Sequence, residues 1–119
     1  MRETDFIVIK ENMKNMIKYS KQEFQTYKST KDIVYLQQAG EKLFNALESY
    51  LSFIYKTRVE YYQQLRLMIK EKSVVKLLYD ARDLHRFFYH GTNEMIEQDA
   101  VELYESVLGR IENRIKNLN

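Results

Sequence analysis

A chain of 119 residues, 45% apolar and 30% charged, has room for one domain with one core and is too apolar to stay disordered. It holds no proline and only three glycines (Gly40, Gly91 and Gly109), too few turn residues for a sandwich or barrel, so an all-α fold is expected. A net charge of +2 falls short of the dense basic face of a dedicated DNA-binding domain, and the absence of cysteine excludes disulfides and thiolate metal sites.

The N-terminal stretch "MRETDFIVIKENMK" has four consecutive apolar residues before Lys10, too few for a signal peptide. No run approaches the roughly 18 apolar residues of a membrane span, so a cytoplasmic protein without membrane contact is expected. Thr4 and Asp5 suit the start of a first helix. Phe6, Ile9, Met13, Met16/Ile17, Phe24 and Tyr27 then recur at helical spacing, interrupted near Ser20, which carries the helix to about Tyr27. In "KSTKD", Ser29 or Thr30 is expected to cap the next helix, with Asp32 in its first turn.

The second helix has the clearest stripe: Leu36, Ala39, Leu43, Ala46/Leu47, Tyr50 and Phe53/Ile54 step by three and four. Gly40 sits beside it, where a close backbone approach would account for a residue that costs about 1 kcal/mol in a helix interior. A bend near Thr57 and Arg58 is expected to open a short third helix over residues 57–72, carrying Tyr61, Leu65 and Ile69. Ser73 then caps a fourth helix with Val74, Leu77/Leu78, Ala81, Leu84/His85 and Phe88 on one side, ended by Gly91. Thr92 or Asn93 restarts the chain. In the last helix Val101, Tyr104, Leu108, Ile111, Ile115 and Leu118 form the stripe, with Arg110, Arg114 and Lys116 near its negative end. Four long helices and one short one, joined by short loops in a single domain, predict an antiparallel up-and-down bundle. Ten tyrosines, tolerant of a half-wet interface, favour a homodimer; the plainer reading is that they rim the core.

The stretch "DARDLHRFFYHGTNE" concentrates the chemistry. Its two histidines, five residues apart, diverge by roughly 140° on a helix, so they do not form a metal pair, and no other histidine exists to complete a site. His85 falls on the core side, as a hydrogen-bonded packing residue would. Arg82, Arg86 and His90 step by four and form one row beside Tyr79 and Tyr89. Such a row suits a phosphate, with His90 able to move a proton near neutral pH; as plain surface it is a solvated flank at a helix C-terminus. No nucleophile elbow or glycine-rich phosphate loop occurs. Glu41, Glu48 and Glu60 lack the Glu-x-x-His spacing of a di-iron bundle. No cofactor is implied.

Two segments together carry a resemblance: "YLQQAGEKLFNALESYLSF" (Tyr35 to Phe53) and "ARDLHRFFYHG" (Ala81 to Gly91). They resemble the archaeal proteins catalogued as a paralogous repeat family of Pyrobaculum, with its A-x-E-K-x-Y/F-x-A helix and A-x-x-L-H-x-x-F/Y-Y/H segment. Ala39, Glu41, Lys42, Phe44 and Ala46 match the first pattern. Ala81, Leu84, His85, Phe88 and Tyr89 match the second. The likeness spans roughly residues 30–118 and extends to the wider HEPN group of helical bundles. It implies an up-and-down bundle that dimerises, with no assigned activity. Some HEPN proteins are metal-independent RNases that use an arginine, four to six residues, then a histidine, in a site shared across the dimer. Here two residues separate Arg82 from His85, three separate Arg86 from His90 and seven separate Arg82 from His90. None fits that pattern. In other HEPN toxins an antitoxin modifies a tyrosine after the histidine, for which Tyr89 is a loose analogue.

The expectation is therefore a small bundle acting as a binding or regulatory module without catalysis of its own, partnered by a second copy or another protein. The alternatives are a toxin-like RNase using Arg82, Arg86 and His90, and a non-catalytic nucleotide or RNA binder using the same row with Tyr79 and Tyr89.

Overall fold

The computed structural model describes residues 3–55, 67, 69–86 and 96–118. Over these it is all-helical: α1 (Glu3–Thr30), α2 (Ile33–Tyr55), α3 (Lys72–His85) and α4 (Glu97–Lys116). Among the described residues there is no strand, and no helix is long and apolar enough to cross a membrane. The bend and short helix expected over residues 57–72 fall largely outside the described residues, as do Gly91, Thr92 and Asn93. Ile69, assigned to that helix, is buried, while Leu67 is 81% exposed.

The α1–α2 hairpin explains itself from side chains. Phe6 meets Phe53 edge-on, Ser20 reaches Ala39, and Glu23 meets Lys42, a register that only antiparallel helices give. α3 and α4 are also antiparallel: Asp80 faces Arg110, and Ser73 faces Arg114. The core runs between all four. Met13, Ile17 and Phe24 come from α1, Leu36, Leu43, Leu47 and Leu51 from α2, Leu77, Leu78 and Leu84 from α3, and Tyr104, Val107 and Ile111 from α4. The face α4 buries is centred on Ala100, Tyr104, Val107 and Ile111, so the expected stripe is rotated; Val101, Leu108 and Ile115 are only half-buried at its edge.

Several expected boundaries move, each for a local reason. At Ser20 the apolar stripe breaks and the helix continues, as expected. Its hydroxyl is fully buried, donates to the Ala39 carbonyl at 2.7 Å and accepts from the Tyr104 phenol at 2.7 Å. A buried hydroxyl is tolerated when its capacity is filled this way. α1 then runs three residues past Tyr27, and Ser29 and Thr30 bond back to carbonyls of their own helix, while the Thr30 hydroxyl also accepts from the Asp32 N–H at 3.2 Å just ahead of α2. The cap of α2 is Asp32, whose carboxylate accepts from the Val34 N–H at 3.0 Å. For α3 the cap position is Glu71, which makes no side-chain capping bond; Ser73 lies inside the first turn and donates to the Glu71 carboxylate.

Two substitutions test these local readings. Lys31 ends α1 with φ 61°, and its N–H donates to the Tyr27 carbonyl at 2.6 Å, the left-handed cap that glycine serves best. Lys31→Gly is expected to raise stability by about 1 kcal/mol, because a Cβ is disfavoured in that conformation. Urea denaturation reads it; a loss of stability would refute the strain. Gly109 lies exposed within α4, and apart from its own helix backbone and chain neighbours nothing stands within 4 Å of where a Cβ would be. Gly109→Ala should therefore gain about 1 kcal/mol from helix propensity alone, visible as a higher Tm.

Candidate functional site

The outer face of α3 carries the described part of the arginine row. Tyr79 is 41% exposed, Arg82 half-buried and Arg86 exposed. Steps of three and four put these three side chains on one flank of the helix. Tyr89 and His90, which complete the expected row, lie outside the described residues.

His85 turns the other way, into the seam between α3 and α2. Its Nδ1 lies 2.8 Å from the Glu41 carboxylate, and its ring stacks on Phe44 at 4.5 Å with 21° between planes. The α2 sequence makes this seat: Glu41 and Phe44 are three apart and share a face. Glu48, one further turn along that face, is half-buried. Burial, and secondarily the charge of Glu41, push its carboxyl up to about 7. Glu41, Phe44 and Glu48 thus follow one another along one face of α2, with His85 seated on the first two. Among the described residues, no group of three or more His, Asp or Glu side chains is placed to hold a metal ion.

A second polar cluster, not anticipated from residue spacing, lies where α3 meets α4. Arg110 donates to Asp80 at 2.7 Å, and Lys76 lies 3.5 Å from the same carboxylate. Four residues on, Arg114 donates to Ser73 at 2.8 Å and to Glu71 at 3.3 Å. Read in sequence, Arg110 and Arg114 were cations at a helix end; their spacing of four was the available sign that both leave α4 on one flank. Ser73, Leu77, Arg110, Asn113, Arg114 and Asn117 line an open cavity of about 400 Å³.

No family model, curated protein or solved structure matches this chain.

Proposed function

We propose that this protein is a non-catalytic binding or regulatory module that works as a homodimer in the cytoplasm, with the five-helix HEPN-like bundle its two motifs resemble. One observation carries the reading. Val8, Asn12, Asn15, Tyr19 and Gln22 are exposed along α1, followed by the half-buried Thr26. These positions alternate steps of four and three, the spacing of a helix-pairing seam. All six are uncharged in a chain that is 30% charged. A solvated face would be expected to carry its share of Lys and Glu, as α1 does at Lys10, Glu11, Lys14, Lys18 and Lys21. A second copy is the natural occupant, because antiparallel pairing of two such faces sets Glu11 of one chain beside Lys18 of the other, twice, by symmetry.

Light scattering tests this. The wild type should show twice the 14.5 kDa chain mass, and Tyr19→Lys, at an exposed position, should shift it to one chain mass while the chain stays helical by circular dichroism. A wild-type monomer at micromolar concentration would refute the dimer.

The RNase reading is supported by the Arg82–Arg86 flank beside Tyr79. In it His90 would serve as general acid and base, with the two arginines on the phosphate. Against it stand the residue spacing and the engagement of His85 with Glu41 and Phe44. Non-catalytic binding of nucleotide or RNA would use the same flank.

A further inference from the structure

The cavity between α3 and α4 is built for a ligand of one sign. Its polar lining is two guanidiniums, one hydroxyl and two carboxamides. Its volume of about 400 Å³ falls in the range of small-molecule sites. Both arginines are held in place before any ligand arrives. Arg110 is fixed by Asp80 and by the Ser106 carbonyl, and Arg114 by Ser73. Their side chains are only 33% and 24% exposed, so little ordering cost remains.

The position of Glu71 gives the cluster a direction. Its side chain is 63% exposed, yet its carboxylate accepts from the Ser73 hydroxyl at 2.8 Å and from the Arg114 guanidinium at 3.3 Å. Those two donors, Ser73 first, hold its carboxyl below the ordinary glutamate range. The same donors would stabilise an anion from outside. The Glu71 side chain makes no capping bond to a backbone N–H of α3. It behaves as a displaceable internal anion. Lys76, Arg110 and Arg114 outnumber Asp80 and Glu71, and removing Glu71 leaves the excess positive charge uncovered.

We propose that this cavity binds a small phosphomonoester, with Glu71 occupying the anion's place until the ligand displaces it. A phosphate offers oxygens in several directions, so that Arg114 and Ser73 can be satisfied together, while Arg110, held at Asp80 about two turns further along α3, adds positive charge at longer range. The Asn113 and Asn117 amides and the Leu77 side chain then line the space for a small polar body. The site is on the opposite end of α3 from Arg86 and does not depend on self-association.

Inorganic phosphate is the first probe, titrated at low ionic strength and followed by amide chemical shifts around Ser73 and Arg114. The wild type should bind weakly, and Glu71→Ala about tenfold more tightly, the size of one charge-assisted contact released to the ligand. In the Glu71→Ala background, Ser73→Ala and Arg114→Gln should each lose that gain, and acetate should bind less well than phosphate. Ser73 is exposed, so its variant reports on the site even where Arg114→Gln unfolds. No saturable shift with Glu71→Ala at millimolar phosphate would overturn the proposal. So would equal affinity of wild type and Glu71→Ala, or binding unaffected by Ser73→Ala and Arg114→Gln.

Discussion

Tyr104→Ala is expected to cost about 4 kcal/mol, the largest loss of any single change considered, out of the roughly 5–15 kcal/mol that holds a domain of this size together. Tyr104 is fully buried, its ring stacks on Phe24 at 4.4 Å, and its phenol donates to Ser20, which in turn donates to the Ala39 carbonyl of α2. One side chain thus ties α4 to both members of the α1–α2 hairpin. Smaller changes separate packing from polarity. Tyr104→Phe keeps the ring and leaves Ser20 its bond to Ala39, so about 1 kcal/mol should be lost. Ser20→Ala should cost more, about 2 kcal/mol, because it leaves the phenol buried without its partner. The double variant Ser20→Ala/Tyr104→Phe removes that orphan, so its cost should fall below the sum of the two. Urea denaturation of the four proteins gives the comparison. Simple additivity would mean that the hydroxyl chain is not a unit.

Glu48 should make the fold pH-sensitive. Its carboxyl titrates near 7 in the folded chain against an ordinary value of 4.5. Between those values the folded state holds a proton that the unfolded chain has released. Glu48's contribution to stability is therefore complete below about pH 4.5 and is lost as the pH rises through 7. Because the side chain is only half-buried, solvent screening reduces the full linkage value, and about 1.5 kcal/mol is the expected loss by pH 8. Glu48→Gln removes the titration and keeps the shape. It should match the wild type near pH 4 and exceed it by that amount at pH 8. Tm profiles of the two proteins that run parallel from pH 4 to 8 would contradict the buried acid.

The helices were legible where periodicity reports the core. The stripe of α2 needed only the spacing of its apolar residues, and Leu36, Ala39, Leu43, Leu47 and Tyr50 are all buried. Periodicity fails where a polar side chain does the packing. Ser20 looked like a fault in the α1 stripe because its partners, Ala39 and Tyr104, lie 19 and 84 residues away. Capping was misplaced for a similar reason. Several Ser, Thr and Asp residues stand together in "KSTKD", and only the backbone path through Lys31 selects Asp32. The row of Arg82 and Arg86 could be placed on a helix flank from spacing alone. That Arg110 and Arg114 gather with Ser73, Asp80 and Glu71 depends on how α4 crosses α3, which no local pattern encodes. The uncharged α1 face was written in the sequence too, but it becomes visible only when the buried face opposite it is known.

The proposed reading, a non-catalytic module, requires that the protein do no chemistry on nucleic acid. The direct test is incubation of a mixed-sequence RNA with wild-type protein and with His90→Ala in EDTA. The account predicts that the RNA survives intact with both. Cleavage by the wild type that is lost in His90→Ala would contradict it and make Arg82, Arg86 and His90 a working metal-independent site.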